Sequence, residues 1–285
     1  MNATNAIDAK FAQLKEEGRT ALIPFLTIGD PDLDASLALI QELEAAGADM
    51  IELGVPYSDP LADGPVIQRA SMRALTGRLT TIVDVIRLAQ RAKEAGVNIP
   101  FILFTYYNPI LQLGFDRFFD LAKTNNISGM IVPDLPIEED EEMRALAEQH
   151  GLHLIPLVAP TSKQRVERIA AKARGFVYCV SSLGVTGERS QFAANLDAFL
   201  DTVRGAAAVP VAVGFGISNR EQVARFEGRC DGVIVGSAIV RKIEEQVEKL
   251  RDPATRAEGA KAVGDFVREL RGANANANAN ANANA

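Results

Sequence analysis

The sequence has no tryptophan, only two cysteines and two histidines, and no apolar run of the roughly 18 residues that a membrane span needs. Cys179 and Cys230 are too few for a disulfide framework, which favours a cytoplasmic location. His150 and His153 lie where a helix is predicted to give way to a strand, so we interpret them as surface or packing residues and predict no metal site. Residues 1–10 lack the apolar region of a secretory signal.

Basic residues are also relatively few, because acidic residues outnumber them. Lys and Arg total 30 against 37 Asp and Glu, a net charge of −7. An acidic chain without a basic run is not expected to bind nucleic acid, whose phosphate backbone attracts basic surfaces. With 47% apolar and 24% charged residues, the composition is typical of a compact domain and excludes general disorder.

Short apolar runs alternate with helical patterns along most of the chain. The predicted strands cover residues 21–27, 50–53, 101–104, 130–132, 154–157, 176–180, 211–213 and 232–235. Nearly continuous apolar strands are expected in parallel sheets that are buried on both faces. Eight strand–helix units at this spacing predict an α/β fold of the (β/α)8 TIM barrel type, and a doubly wound sheet is the alternative.

No composition shift divides the chain, so we predict a single domain over residues 1–272, with a short extra helix at its N-terminus. Residues 273–285 alternate Ala and Asn without interruption. This low-complexity segment has no apolar face to bury, and we place it outside the folded domain.

Two carboxylates lie at or after the end of the second predicted strand. Glu52 follows Ile51 in an apolar strand, where burial would raise its pKa and suit it to proton transfer. A Glu paired with a Lys or Arg is the alternative. Asp63 lies in the proline-rich loop that follows, where it is either a presented acid or a simple turn residue before Gly64.

The last two predicted strands end in glycines that lead into helices. These ends contain Gly214 and Gly216, then Gly236 followed by Ser237. Backbone N–H groups at such helix starts bind anions, and in barrels the seventh and eighth βα loops are the usual phosphate site. A structural turn is the alternative at each position. Because no dinucleotide, P-loop or Gly-x-Ser-x-Gly motif is present, we expect acid–base chemistry on a phosphorylated small molecule without a cofactor.

Five segments together resemble one family. They are residues 25–31 (FLTIGDP), 51–65 (IELGVPYSDPLADGP), 132–136 (VPDLP), 181–187 (SSLGVTG) and 214–218 (GFGIS). In this order they resemble tryptophan synthase alpha subunits, and the similarity runs from about residue 8 to residue 270.

The resemblance implies a lyase that cleaves indole-3-glycerol phosphate to indole and glyceraldehyde 3-phosphate. Glu52 matches the family's catalytic acid–base residue, and Asp63 matches the carboxylate that binds the indole N–H. The matched substrate-binding residues are Gly187, Gly216, Gly236 and Ser237 at the phosphate, Phe25, Leu103, Tyr178 and Phe215 around indole, and Thr186 in a loop that closes and supports Asp63.

The resemblance also implies a partner, a beta subunit that carries pyridoxal phosphate and receives the indole. Two alpha and two beta subunits form the complex in this family, and residues 56–60 and 133–136 match segments that touch the beta subunit. The alternatives are a stand-alone lyase of the same family, another phosphate-binding barrel enzyme, and a catalytically idle scaffold that only binds a beta-type partner.

Overall fold

The structure, a computed structural model, describes residues 4–76, 79–180, 189–214 and 216–272. The strands within these ranges are β1 Ala21–Thr27, β2 Ile51–Gly54, β3 Phe101–Phe104, β4 Ile127–Ile131, β5 His153–Leu154, β6 Leu157–Val158, β7 Val177–Val180, β8 Val211–Gly214 and β9 Gly232–Val235. The helices are α1 Ala6–Glu16, α2 Leu33–Ala45, α3 Pro65–Leu75, α4 Ile82–Glu94, α5 Tyr107–Leu113, α6 Phe115–Thr124, α7 Glu141–Gln149, α8 Lys163–Ala171, α9 Arg189–Ala206, α10 Arg220–Phe226, α11 Ser237–Glu245, α12 Val247–Arg251 and α13 Arg256–Arg271.

The strands form one parallel sheet in the order β5-β4-β3-β2-β1-β9-β8-β7-β6. Its two ends are consecutive in the chain, because only Ile155 and Pro156 separate β5 from β6. The N–H of Ile155 donates to the carbonyl of Met130 at 2.9 Å, and the N–H of Tyr178 donates to the carbonyl of Pro156 at 3.0 Å. The ring of strands therefore closes through the chain itself, and the predicted (β/α)8 barrel is confirmed.

We call residues 153–158, where the sheet closes, the seam. The single strand predicted over 154–157 is corrected here to two short strands. Pro156 has no N–H to continue a ladder, and at this point the chain changes its neighbour from β4 to β7.

Side-chain alternation along the strands separates an inner core from an outer one. In β1, Leu22 and Leu26 pack outward against the helices, whereas Ile23 packs inside the barrel. The helix α1 joins the inner core through Ile7, Phe11 and Leu14, alongside residues at the beginnings of strands. It covers the end of the barrel at which the strands begin, as the predicted extra N-terminal helix, and leaves the other end open.

Helical periodicity in the sequence predicts helices over residues 33–46, 82–95, 118–124, 138–149, 162–173, 196–203, 221–226, 241–249 and 254–270. The helices α3 and α5 lie in segments without a predicted helix, and α9 begins seven residues before its predicted start. The helix predicted over residues 241–249 is two helices, α11 and α12, which meet at Gln246. Of these, α3 matters most to the site, because it begins two residues after Asp63.

Candidate active site

A cavity of about 740 Å³ opens at the end of the barrel where the strands end. Both catalytic candidates from the sequence, Glu52 and Asp63, line it. Its other lining residues are Phe25, Ala62, Ile67, Phe104, Pro133, Leu157, Ala159, Tyr178, Val180, Gly214, Gly216, Ile217, Ser218, Ile234, Gly236, Ser237, Ala238 and Arg241. The walls are mainly apolar, with polar groups at a few points, as is usual for a small-molecule site.

Glu52 is the most unusual group in this cavity. It lies in the middle of β2, in register with Phe25 of β1 and Ile102 of β3, and it is only 1% exposed. Its Oε1 atom has no hydrogen-bond partner among the residues that the structure describes. Burial raises the pKa of Glu52 to about 8, because the charged form loses its water. No Lys or Arg among the described side chains pairs with Glu52, which contradicts the alternative of an ion-paired Glu.

Two aromatic side chains form walls beside Glu52, and glycines make room for them. A Cβ atom on Gly54 would lie 2.4 Å from Cζ of Phe25, and one on Gly214 would lie 2.6 Å from the hydroxyl of Tyr178. Either contact is too short for a real side chain, so each ring occupies space that only glycine leaves free. Burial, with a smaller contribution from the neighbouring Glu52 carboxylate, holds the pKa of Tyr178 well above its usual range. These rings give a flat aromatic ligand apolar surfaces to pack on.

Asp63 lies beside a tyrosine that the sequence analysis did not select. The hydroxyl of Tyr106 accepts the N–H of Ala62, the residue before Asp63, at 2.9 Å. Burial raises the pKa of Asp63, and the nearby Tyr106 hydroxyl opposes that rise. Tyr106 is buried and stacks on Tyr57, with ring centroids 5.0 Å apart. In the sequence, only its position could have indicated Tyr106: it lies two residues after the end of β3, and active-site residues of these barrels lie after the ends of strands.

The opposite side of the cavity has the features of an anion site. Gly236 precedes α11 and Ser237 is the first residue of that helix, whose initial N–H groups have no acceptor within the helix. Gly216 follows β8 with φ of +64°, a backbone conformation that favours glycine. Arg241, in the second turn of α11, also lines the cavity, and no ion pair joins it to any residue within the described ranges. It is a second group that the sequence analysis missed.

The structure brings most of the predicted site residues together but not all of them. Leu103 is corrected: its side chain lies in the outer core between strands and helices, and Phe104 lines the cavity instead. The reason is the alternation of β3, which turns Ile102 inward and Leu103 outward. Thr186, Gly187 and Phe215 lie outside the described residues.

The remaining candidates for chemistry have structural surroundings. His153 binds Asp8 at 2.9 Å, and His150 stacks on Phe119 with ring centroids 5.2 Å apart. Cys179 is a free, buried thiol whose pKa is raised by burial. In the described part of the chain, no three His, Cys, Asp or Glu residues are grouped so as to hold a metal ion. No helix there is both long and apolar enough to cross a membrane.

Comparison with known proteins identifies the family. Residues 11–268 match the family model described as tryptophan synthase alpha chain. The tryptophan synthase alpha chain of Geobacillus kaustophilus is 55% identical over 248 residues, which cover 87% of this chain and 92% of that protein. The alpha chain of Bacillus subtilis is 52% identical over 250 residues, which cover 88% of this chain and 93% of that protein. The crystal structure of the Legionella pneumophila alpha chain superposes with a TM-score of 0.83 at 35% identity, covering 95% of this chain and 97% of that one. The chain therefore belongs to the tryptophan synthase alpha chain family.

Proposed function

We propose that Glu52 and Asp63 carry the reaction of this alpha chain, the cleavage of indole-3-glycerol phosphate to indole and glyceraldehyde 3-phosphate. The reaction follows from the family, which makes the chain a lyase of tryptophan biosynthesis. One observation supports the residue assignment above all others. Glu52 is a buried carboxyl in a cavity of substrate size, and its Oε1 atom forms no hydrogen bond with any described residue.

The cleavage is a retro-aldol reaction, and it needs a proton on C3 of the indole ring first. With a pKa of about 8, Glu52 is mostly protonated at neutral pH and can donate that proton. The bond between C3 and the glycerol carbon then breaks, and its electron pair returns to the ring to give indole. The hydroxyl on that glycerol carbon becomes the aldehyde and gives its proton to the Glu52 carboxylate, which regenerates the acid.

Asp63 has a different task in this scheme. Protonation at C3 places positive charge on the ring nitrogen, and a carboxylate that accepts the N–H stabilises this charge. Tyr106 fixes the backbone next to Asp63 through the hydrogen bond of its hydroxyl with the N–H of Ala62. Thr186, which the family resemblance places beside Asp63 in a closed loop, is part of this proposal.

The substrate phosphate binds at the other side of the cavity. The N–H groups at the start of α11, next to Gly236 and Ser237, and the loop at Gly216 supply donors. Arg241 adds a positive charge one turn further along α11. Gly187 and Phe215 complete the phosphate and indole contacts in this proposal, and Phe104 takes the place first given to Leu103.

The family name implies a beta chain as partner. We propose a complex of two alpha and two beta chains, with residues 56–60 and 133–136 of the alpha chain in the contact. The pyridoxal phosphate of the complete synthase belongs to the beta chain, and the steps above use only side chains of the alpha chain. A cytoplasmic location, suggested by the scarcity of cysteine, is part of the same proposal.

The test is indole release from indole-3-glycerol phosphate while beta chain is titrated into the full alpha chain. A slow rate that rises and saturates near one beta per alpha supports the proposal. A fast rate that ignores the beta chain would identify a stand-alone lyase. No indole in either condition, with the beta chain still bound, would leave only a binding scaffold.

The residue assignment is tested separately with Glu52→Gln and Asp63→Asn. We expect Glu52→Gln to lower kcat by about a thousandfold, because general acid–base catalysis contributes that much. Affinity for glycerol 3-phosphate should stay the same, since the phosphate contacts are untouched. Substantial turnover in Glu52→Gln would remove the mechanism.

A further inference from the structure

We propose that Arg73 is a positioning residue for Asp63: it fixes the far end of α3, and thereby the direction in which that helix presents the catalytic loop. The inference rests on the proposed function, because Arg73 acts through the contact between Asp63 and the indole N–H.

Arg73 joins three parts of the molecule through one guanidinium group. Its Nε and Nη2 atoms donate to the two carboxylate oxygens of Asp30, at 2.8 Å each. Its Nη1 atom donates to Oε1 of Glu244 at 2.7 Å. Asp30 lies just after β1, and Glu244 lies in the last turn of α11. Such a two-pronged contact fixes orientation as well as distance.

The Arg73 contacts are mostly shielded from water. The side chain of Asp30 is 2% exposed and that of Arg73 is 18% exposed. Arg69, one turn earlier on α3, also binds Glu244 with two nitrogens at 2.8 Å each. Water screens buried pairs far less than exposed ones, so the Arg73–Asp30 pair holds α3 more firmly than the Arg69–Glu244 pair, in which the Arg69 side chain is exposed.

The C-terminal end of α3 depends on this network because few apolar groups hold it. The helix is an extra one between β2 and the barrel helix α4, and its fully buried residues are the small side chains of Ala70, Ser71 and Ala74. Ala70 packs in one cluster with Phe25 and Val240, and the partly buried Val66 and Ile67 of α3 pack against that cluster. Beyond Ala70 only Ser71 and Ala74 are buried, so the ion pairs determine where the C-terminal end of the helix lies.

The N-terminal end of the same helix carries the catalytic loop. Asp63 comes two residues before Pro65, and the intervening cap, Gly64, makes no side-chain bond. Arg73 lies about 12 Å along the helix from Pro65, at 1.5 Å per residue. A helix is stiff over this distance, so a shift at Arg73 is transmitted to Asp63. The phosphate-binding N–H groups lie at the start of α11, whereas Glu244 lies in its last turn, about 10 Å away at 1.5 Å per residue.

The experiment compares two non-cleavable ligands by calorimetry: an indole-3-alkyl phosphate, and its isostere in which sulfur replaces the ring N–H. The ratio of their Kd values reports the N–H contact alone. In the full wild-type chain we expect the indole ligand to bind about tenfold more tightly, as for a hydrogen bond to a charged group. In Arg73→Lys, which keeps the charge but loses the planar fork, the ratio should fall severalfold toward one.

Three comparisons make the result specific. Glycerol 3-phosphate should bind Arg73→Lys and wild type equally. In Asp63→Asn the ratio should already be near one, and adding Arg73→Lys should change it no further. Arg268→Lys is the matched control, because Arg268 also bridges two carboxylates, Glu42 and Asp265, away from the cavity. It should leave the ratio at the wild-type value.

Equal weakening of both ligands in Arg73→Lys, or the same ratio change in Arg268→Lys, would overturn the proposal and leave Arg73 as a structural support. If Arg73→Lys fails to fold, Glu244→Gln, which leaves the contact between Arg73 and Asp30 intact, replaces it in the experiment. A ratio of Kd values equal to that of wild type in the folded variant would also overturn the proposal. Failure of the proposed function has a different signature: wild type itself would show no preference for the indole ligand.

Discussion

An uncharged carboxyl at Glu52 makes the stability of the fold depend on pH. Its folded pKa of about 8 exceeds the ordinary value of 4.5, so its contribution is complete below about pH 4.5 and is lost as the pH rises toward 8. Glu52→Gln removes this loss. We expect the variant to gain stability over wild type between pH 5 and 8, by up to about 1.4 kcal/mol for each pH unit.

Urea unfolding of both chains at pH 5, 6.5 and 8 measures this difference. Glu94→Gln is the control, since Glu94 is an exposed carboxyl that binds Gln90. A stability difference between wild type and Glu52→Gln that stays constant across the three pH values would show that Glu52 is not held protonated.

The hydroxyl of Tyr106 is a second group whose removal has a defined effect. Tyr106→Phe removes the acceptor of the Ala62 N–H and the hydroxyl that lowers the pKa of Asp63. We expect a loss of about 1 kcal/mol in the free energy of unfolding and roughly a tenfold fall in kcat/KM. The pKa of Asp63 should rise further, because the hydroxyl that lowers it is gone.

Tyr107→Phe is the neighbouring control, because the Tyr107 hydroxyl makes no hydrogen bond with a described residue. Steady-state kinetics and urea unfolding of Tyr106→Phe and Tyr107→Phe test this prediction. If they behave alike, the Tyr106 hydroxyl does not orient Asp63.

At the scale of elements, α1 contributes stability without touching the site. Phe11 is 5% exposed, and its ring lies 5.6 Å from that of Phe176 in the inner core. Phe11→Ala should lower the free energy of unfolding by about 3 to 5 kcal/mol, the usual cost of such a cavity. Near 20 °C, where the variant remains folded, kcat should be unchanged, since the cavity is at the opposite end of the barrel.

Chemical denaturation and kinetics on the same preparation test this expectation. Lys10→Ala, at a partly exposed position of the same helix, should leave both stability and rate as in wild type. A large fall in kcat for folded Phe11→Ala would mean that α1 affects the site.

The elements also show which features the sequence could predict. The strands were predictable because strands buried on both faces are nearly all apolar, and β1, which is buried along its whole length, is apolar except for Thr27. The helix α3 was not, because its buried face is small and its start lies in a run of proline and glycine that indicates a loop. The fully apolar β3 hid its alternation, so nothing local distinguished the outward Leu103 from the cavity-lining Phe104.

The carboxylates of the site were foreseen for a different reason. A Glu inside an apolar strand stands out locally, and this is why Glu52 could be selected. Tyr106 and Arg73 act through residues 44 and 43 positions away, Ala62 and Asp30. Such contacts exist only after the barrel has closed, and no local sequence pattern predicts them.

At the scale of the whole molecule, the open end of the barrel presents apolar surface beside a proposed contact with the beta chain. Leu79 is 62% exposed and lies in a groove with Pro56, Pro109 and Leu113. Leu79→Ser should weaken beta-chain binding by about tenfold, as loss of an interface anchor does, without changing stability. Leu79→Met, which keeps an apolar side chain, should bind normally.

Calorimetric titration of beta chain into each variant measures this affinity. Equal affinity in Leu79→Ser and Leu79→Met would place the contact elsewhere on the alpha chain.

The seam gives the barrel an unequal resistance to opening. The strand β1 has ladders on both sides, to β2 and β9, whereas among the described strands β5 pairs only with β4 and β6 only with β7. Hydrogen exchange should therefore be faster for the amides of residues 153–158 than for those of β1. A second cavity, of about 400 Å³, lies against the same residues and leaves them room to move. The barrel is in this sense a split ring whose ends are joined by Ile155 and Pro156, and its local opening should begin there.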